Sequence, residues 1–251
     1  REQHGGHAEI DKTYGWELWH AVRLELYGDN KPNEEQLQNY FHEYGHLGIE
    51  KPSDIHSRML DIASRAASKD VFSTFVGFLL WWDPENIRND DFVRNPMEDG
   101  GQFDSLVEHV IKALGHLSKQ NMPDNHLKLA ENFISKHYTQ FPDQDWFPYY
   151  LSLYMNRTGK NTEALDLLIP IARKKSNEFW AWSHLSDCFP EDQDKRISCL
   201  CRAVQCRVED ETFLINVHLV LAEELIRLGE KAIAKHHIEK VRDIRTLKEW
   251  P

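Results

Sequence analysis

The sequence predicts an all-α fold in which helices form a repeat array. Apolar residues recur at helical spacing along nearly the whole chain, and no run of alternating apolar and polar residues predicts a β-strand. The C-terminal half also repeats itself at a fixed interval, so that residues 142–175, 176–209 and 210–243 align without gaps. These patterns favour a helical solenoid over a mixed or all-β domain.

Three columns of this alignment carry the repeat. They hold Leu151, Leu185 and Leu219; Ala164, Ser198 and Ala232; and Trp146, Trp180 and Leu214. A period of 34 is that of tetratricopeptide helix pairs, in which each pair buries its apolar face against the next pair. We therefore expect a right-handed superhelical α-solenoid of about four tetratricopeptide-like helix pairs over residues 103–251.

Residues 1–102 are predicted to form a helical N-terminal subdomain. Helical periodicity covers residues 14–27, 33–47, 55–68 and 71–82. The segment 71–82 is apolar almost all round and is the predicted centre of this core. Residues 83–102 form an acidic segment rich in Pro, Asn and Gly, which indicates either a domain boundary or a long ordered loop.

The charge balance argues against a general nucleic-acid-binding protein. The chain carries 41 acidic and 30 basic residues for a net charge of -11, whereas affinity for phosphate backbones rests on Lys and Arg. Basic side chains crowd the last helix between residues 231 and 248, but acidic side chains interleave with them. A nucleic-acid-associated module that binds through this helix stays open as an alternative.

The chain shows no targeting or membrane segment. No run of 18 apolar residues occurs, and the N-terminus lacks the apolar stretch of a signal peptide. We therefore expect a cytoplasmic protein without a membrane partner. The chain begins without Met and ends directly after a helical pattern, which predicts that it is a segment of a longer polypeptide.

Four cysteines lie close together: Cys188, Cys199, Cys201 and Cys206. In the repeat alignment, the last three share columns with apolar positions of the preceding repeat. Structural zinc sites draw ligand pairs from tight turns, whereas Cys199 and Cys201 would lie about 200° apart on a helix. We therefore expect core side chains, with no metal, no other cofactor and no disulfide.

One motif suggests catalysis. Residues 42–46 match H-E-x-x-H, in which two histidines bind zinc and the glutamate activates water. The enzyme alternative is therefore a zinc metallopeptidase with His42 and His46 as ligands and Glu43 as base. Helical geometry opposes it, because both histidines point away from the apolar stripe that contains Leu37. No histidine follows where the extended motif places its third ligand.

Aromatic and imidazole side chains in the first helices of the repeats are the candidate binding surface. First helices line the inner surface of such superhelices, and large aromatic side chains anchor interfaces at a small entropic cost. His184 and His218 share one alignment column with Tyr150, for which packing between repeats is the competing explanation. The predicted site residues are Trp146, Tyr150, Tyr154, Trp180, His184 and His218.

Several short strings occur together along the chain. They are residues 52–57 with Leu60 and Ala63, Phe75 and Phe78, Trp81-Trp82, residues 86–88, Asp91-Phe92, residues 179–182 and residues 197–203. Together they resemble a tetratricopeptide-like domain of unknown function associated with bacterial conflict systems of the TOTE type. The resemblance covers the chain from about residue 34 to its end and places the family signature at residues 52–57, not at residues 42–46.

The resemblance implies a multidomain cytoplasmic protein of a bacterial defence locus. In such proteins the helical part brings partners together beside nucleic-acid-processing modules, and the resemblance implies no catalytic residues. With the repeat pattern, it predicts a non-catalytic scaffold that binds a protein or peptide partner. Aromatic anchors with an acidic rim would select a helical or basic segment of that partner. The sequence leaves the oligomeric state open.

Overall fold

The structure is a computed structural model that describes the backbone of residues 2–250 and the side chains of residues 7–250. Within these residues it contains twelve α-helices and no β-strand, and one isolated antiparallel bridge joins Pro96 and Gln102. The helices are α1 (Glu2–Tyr27), α2 (Glu34–Gly45), α3 (Asp54–Ser68), α4 (Phe75–Trp82), α5 (Leu106–Leu117), α6 (Asp124–His137), α7 (Phe147–Arg157), α8 (Asn161–Lys174), α9 (Phe179–Asp187), α10 (Gln193–Val204), α11 (Ile215–Arg227) and α12 (Lys231–Leu247). None of these helices combines the length and the apolar content that crossing a bilayer requires.

The chain divides into two compact units, Arg1–Tyr154 and Met155–Pro251. The first unit contains α1 to α6 and most of α7, and the second contains the end of α7 and α8 to α12. Helices α5 and α6 belong with the N-terminal helices, because α5 packs against α3 and α6 packs against α4. The boundary between a helical N-terminal subdomain and the repeat array, between residues 102 and 103, stays a prediction.

Two helices begin at places that differ from the prediction. Helix α1 begins at Glu2 and not at residue 14, because its first residues are polar and continue the helix without an apolar face. Helix α4 begins at Phe75 and not at residue 71. Residues 71–74 form a connection instead, in which Ser73 N and Oγ donate to the Glu34 carboxylate over 3.0 and 2.6 Å.

Helix α3 is the centre of the first unit, although the sequence predicts α4 in this place. Helix α3 packs against α1, α4 and α5. Its Ala63, Ala66 and Ala67 are fully buried, and their small side chains let the neighbouring helices approach closely. Helix α4 is short and leaves Leu80 and Trp81 44% and 38% exposed, so it covers the core from one side only.

A buried histidine joins α3 to α2 and α4. The ring of His56 stacks on Trp82 with centroids 4.5 Å apart and an interplanar angle of 7°. The Trp82 carbonyl can only accept, so His56 Nε2 carries the proton and donates to it over 3.1 Å, while Tyr44 Oη donates to Nδ1 over 3.1 Å. Trp82 Nε1 in turn donates to the His56 carbonyl over 2.9 Å. This network requires a neutral imidazole.

Residues 83–105 form an ordered loop, the second of the two predicted possibilities. The loop contains 3₁₀ turns at Pro84–Asn86 and Asn89–Phe92. At its middle, Arg94 Nη2 forms an ion pair with Glu108 over 2.5 Å, and Arg94 Nη1 forms one with Asp143 over 2.7 Å. Glu108 is fully buried, so its charge needs these donors. The loop is thus fastened to α5 and to the segment before α7.

The second unit is built from consecutive packed helices. Helix α9 packs against α10, α10 against α11, and α11 against α12. The repeat column of Leu151 is buried or half-buried in all three rows. In the second helices, however, Ser198 and Ala232 are exposed. The buried positions lie two residues later, at Leu200 and Ala234, so the turn between α9 and α10 shifts the register.

The cysteines are core side chains of the second unit, as the repeat alignment predicts. All four are free thiols; Cys188, Cys199 and Cys206 are buried, and Cys201 is half-buried. Burial raises the pKa of Cys188 to about 12, so this thiol stays protonated at neutral pH. A buried protonated thiol is a small apolar filler and a poor nucleophile.

The His56 network predicts a pH-dependent stability. Burial lowers the pKa of His56 from 6.5 to about 4. A group whose folded pKa is depressed contributes stability above its unfolded pKa and loses it as the pH falls, here between pH 6.5 and 4. We expect urea titrations to show the free energy of unfolding falling over this window, with His56 accounting for about 3 kcal/mol of the loss.

The variant His56→Gln should be less stable than wild type at pH 7 and should lose less stability on acidification. The exposed His20→Gln on α1 is the matched control. If His56→Gln keeps the full wild-type pH dependence, the neutral-imidazole account of this network is wrong.

Candidate functional site

Three alternate helices of the first unit, α3, α5 and α7, border an open cleft of about 500 Å³. Each is the first helix of a consecutive pair, and repeat arrays bind extended partners along such surfaces. We call it the first-helix cleft; its lining residues are Ser68, Lys112, Gly115, His116, Ser118, Lys119, Tyr149, Tyr150 and Leu153.

The close contact between α5 and α7 at the floor of the first-helix cleft requires glycine at position 115. A Cβ atom at this position would lie 2.5 Å from three ring atoms of Tyr150, well inside van der Waals contact. The Tyr150 ring therefore lies directly on the backbone of α5. Farther along α7, Tyr154 Oη donates to the Leu114 carbonyl over 2.7 Å and holds α7 at this short distance.

Aromatic rings form one side of the cleft. Trp146 stacks on Tyr150 with centroids 6.4 Å apart and meets Tyr149 edge to face at 5.5 Å. Trp146 is 44% exposed, whereas Tyr149 is buried. Burial raises the pKa of Tyr150, so its hydroxyl stays protonated and can donate a hydrogen bond. The surface therefore offers apolar ring area with a polar tip.

Basic side chains form the other side. Lys112 Nζ lies 2.5 Å from Asp104 Oδ2, and His116 Nε2 lies 2.7 Å from Asp70 Oδ1. Lys119 is exposed and forms no ion pair with any carboxylate in the described part of the chain. No lining residue of the described cleft carries a carboxylate itself. The net charge of the chain suggests an acidic rim, whereas the lining of this cleft carries lysines and no carboxylate, with Asp70 and Asp104 beside it.

The predicted site residues of α7 separate into two groups. Tyr150 lines the first-helix cleft, and Trp146 stacks on its ring from outside the lining. Tyr154 is fully buried, with its hydroxyl bonded to α5, so it cannot contact a partner. The spacing of four residues places all three on one stripe of the helix, but α5 covers the C-terminal end of that stripe. The assignment of Tyr154 as a surface residue is therefore corrected to a packing residue.

The other predicted site residues lie in the second unit. Trp180 is half-buried in the first turn of α9, and His184 Nδ1 lies 3.7 Å from Asp187 Oδ2. His218 contacts the second helix of its own pair, with its Nδ1 2.9 Å from His237 Nδ1 on α12. Burial lowers the pKa of His218 to about 4. This geometry fits packing between helices, the competing explanation for the histidine column.

The H-E-x-x-H motif lies at the end of α2 on its exposed side. The rings of His42 and His46 have centroids 4.5 Å apart. His46 Nδ1 donates to the His42 carbonyl over 2.8 Å, and Tyr14 Oη donates to Glu43 Oε2 over 2.5 Å. Side chains in the described range 7–250 include no group of three His, Cys, Asp or Glu that could hold a metal. The motif thus supplies two candidate ligands and lacks a third.

Both histidines of the motif border a second cleft of about 680 Å³ between α2 and α4. Its walls are aromatic and include Phe41, Phe78 and Trp81. Lys51 Nζ lies 4.0 Å from the Trp81 ring centroid, within range of a cation–π contact. This cleft carries no carboxylate among its described lining residues, so the water-activating Glu43 points elsewhere.

Three residues from the sequence segments that carry the family resemblance contact one another in a buried polar cluster. Ser57 Oγ donates to Asp91 Oδ2 over 3.0 Å and accepts from Arg88 Nε over 3.0 Å. Arg88 N also donates to Asp91 Oδ2 over 2.9 Å. Because these groups satisfy one another, the cluster fastens the loop at residues 83–105 to α3. Its role is structural.

A polar cleft of about 580 Å³ lies beside this cluster, and several of its charged side chains are paired within the protein. His109 Nδ1 lies 2.7 Å from Asp61 Oδ1, and Arg65 Nε donates to Asp61 Oδ2 over 3.0 Å. The His109 and Arg65 partners lower the pKa of Asp61 against the opposing effect of its burial. The contact between His109 and Asp61 joins α3 to α5 and thereby supports one wall of the first-helix cleft.

The basic last helix shows the interleaved pairing that its sequence predicts. Lys248 Nζ lies 2.9 Å from Asp210 Oδ2, and Lys235 Nζ lies 3.8 Å from Glu239 Oε1 on the same helix. Part of the positive charge of α12 is therefore compensated locally. This favours a solvated face over a nucleic-acid site.

Of the nine residues that line the first-helix cleft, the sequence prediction names only Tyr150; Gly115 and Lys119 are two of the eight that it missed. Gly115 lies within an apolar helix, where a glycine costs about 1 kcal/mol relative to alanine, so its position was a signal for close packing. Lys119 is one of many exposed lysines, and its sequence context gives no such signal.

Comparisons with known proteins agree with the helical-repeat fold. A family model described as a domain of unknown function (DUF7017) matches residues 145–251. No curated protein matches the chain. Among solved structures, a MamA double mutant of RS-1 is similar at 16% identity and a TM-score of 0.52, and the match covers 78% of this chain and 97% of that chain. A putative kinesin light chain of Podosopora anserina with nearly identical TPR-like repeats is similar at 13% identity and a TM-score of 0.51, covering 78% of this chain and 99% of that chain. MamA from residue 41 to its end, from Desulfovibrio magneticus RS-1, is similar at 17% identity and a TM-score of 0.50, covering 77% of this chain and 97% of that chain.

These likenesses show the fold. The chain is an all-α helical-repeat protein of the tetratricopeptide-like type, as the repeat in its sequence predicts. The family match carries no function in its description, and the identities to the solved structures are low.

Substitution of Gly115 should disturb the first-helix cleft. In Gly115→Ala the new methyl group would overlap the Tyr150 ring, so we expect the free energy of unfolding to fall by about 1–3 kcal/mol. Gly77→Ala on α4 is the matched control, because its Cβ would meet His126 at an ordinary 3.5 Å. The control should be neutral or more stable by up to about 1 kcal/mol. Urea unfolding measures both; equal stability of the two variants would contradict the proposed contact.

Proposed function

We propose that this chain is a non-catalytic scaffold domain that binds a protein segment in its first-helix cleft. One observation carries the proposal: first helices of three consecutive pairs contribute to a single open cleft with an aromatic side. Repeat arrays of this type bind extended partners on the surface that their first helices share. The shared fold of the solved structures supports the architecture, and the residues of the cleft supply the recognition.

The aromatic side is suited to a peptide chain. Tyr150 presents its ring in the cleft, and the exposed Trp146 stacked on it extends this ring area beyond the lining. Such rings anchor interfaces because they bury much area at low entropic cost. A cleft of about 500 Å³ holds a few side chains, whereas stable interfaces bury about 1,200 Å² or more in total. The cleft therefore serves as the anchor point of a larger contact.

We further propose that the domain belongs to a longer cytoplasmic bacterial protein of a defence system, in which residues 103–251 form about four helix pairs after a helical N-terminal subdomain. The proposal is motivated by the family resemblance and by the position of its strings in the structural cluster of Ser57, Arg88 and Asp91. It predicts that deletion of the domain from the parent protein lowers the resistance of the producing strain to phage. Unchanged plating efficiency would contradict this role.

The zinc metallopeptidase is the catalytic alternative, favoured only by the H-E-x-x-H match. It requires about one bound zinc per chain, lost in His46→Ala, and hydrolysis that disappears in Glu43→Gln. The metal content of purified protein, measured by inductively coupled plasma mass spectrometry, separates it from the scaffold. The nucleic-acid alternative requires binding through α12 that weakens steeply as salt rises.

Photo-cross-linking tests the proposed surface directly. We expect that p-benzoylphenylalanine at position 150 cross-links to discrete partner proteins in cells that produce the protein, because the ring of residue 150 lies at the cleft. The matched control is the same substitution at Tyr138, a half-buried tyrosine after α6. Cross-links of equal yield and pattern at both positions, or none at position 150, would contradict a binding site in the cleft.

A further inference from the structure

We infer that the first-helix cleft selects an acidic, extended protein segment. This inference rests on the proposed scaffold function and adds the chemistry of the partner. It reverses the basic or helical segment that the net charge of the chain suggests, because the charges at the cleft differ from those of the chain as a whole.

The polar groups that line the cleft are mainly hydrogen-bond donors. Lys119 Nζ has no described carboxylate partner, and Tyr150 Oη forms no hydrogen bond to a described residue. The ammonium group of Lys112 donates to Asp104, which holds the side chain in place. This ammonium group has three N–H donors, so its hydrogen bond to Asp104 leaves donors for a partner. A partner that fills this cleft must supply acceptors. Carboxylates are the strongest acceptors in a protein chain, since ammonium–carboxylate hydrogen bonds are charge-assisted.

The two lysines offer donors at two places along the cleft. Lys112 lies within α5 with its ammonium group beside Asp104, and Lys119 lies in the turn that follows the helix. An extended segment with more than one carboxylate can therefore supply an acceptor to each ammonium group.

The middle of the cleft is apolar. Gly115 leaves the α5 backbone bare between the two lysines, and Tyr150 and Leu153 lie against this stretch. An apolar side chain between the two acidic residues can pack there. This apolar floor favours a protein segment over a nucleic acid, because phosphate backbones require a continuous basic track, and Asp70 and Asp104 lie beside the basic groups here.

The test uses fluorescein-labelled eight-residue peptides and fluorescence anisotropy. The probe carries two glutamates three positions apart around a Phe-Pro pair; one counterpart has lysines in place of the glutamates, and another has glutamines. We expect the glutamate peptide to bind at least 10-fold more tightly than either counterpart. Lys119→Glu should weaken its binding at least 10-fold. Lys128→Glu on the exposed side of α6 is the matched control and should not weaken it.

The outcomes separate the two proposals. If the lysine or glutamine peptide binds as tightly as the glutamate peptide and Tyr150→Ala abolishes this binding, the cleft is a binding surface but the acidic partner is wrong. If Tyr150→Ala leaves the binding of every peptide unchanged, the peptides bind elsewhere and both proposals are wrong at this site. Absence of binding by the glutamate peptide, or equal binding to Lys119→Glu and wild type, would also overturn the inference.

Discussion

The contact between the Tyr150 ring and the bare backbone at Gly115 is the constraint on which the candidate site depends. Any side chain at position 115 would occupy the place of the ring, since even a Cβ atom would lie only 2.5 Å from it. The close approach brings α7 against α5 and lets Tyr154 reach the Leu114 carbonyl. The same approach places aromatic rings of α7 opposite lysines of α5. Without it, the aromatic and basic groups would not share a cleft.

Hydrogen bonds and ion pairs that involve α3 hold the helices of the first unit in the positions that this contact requires. His56 fixes α3 relative to α2 and α4 with a network that tolerates only the neutral imidazole. The Asp61 ion pairs with His109 join α3 to α5, and the Ser57 cluster fastens the loop that leads into α5. At the end of that loop, Asp104 positions Lys112 at the cleft. Buried polar groups thus set the orientation of the surface residues.

The sequence predicted the fold class well because the signals for it are strong. The gapless repeat and the apolar helical spacing identified a helical-repeat protein, and alignment with Leu165 and its neighbours identified the cysteines as core residues. These signals are periodic and depend on burial alone. The starts of α1 and α4 were missed because polar residues extend α1 and because Ser73 binds Glu34 where an apolar helix was expected.

The site was predicted only in part, since it depends on contacts between helices. Aromatic residues of α7 were identified, but the sequence could not show that Tyr154 turns into α5 while Trp146 stays exposed. The second-helix columns also shifted by two residues between repeats, which no gapless alignment reveals. Above all, the total charge of the chain predicted an acidic surface. The lining of the cleft instead carries no carboxylate, because Lys112, His116 and Lys119 come together on one face of α5 and its following turn.

The central claim is that partners bind where α3, α5 and α7 meet. Hydrogen–deuterium exchange of the chain with and without saturating glutamate peptide tests it most directly, because exchange reports every segment of the backbone at once. The account predicts slower exchange in residues 112–120 and 147–154, with little change elsewhere. Protection confined to residues 38–46 and 72–82, which border the cleft between α2 and α4, would contradict it.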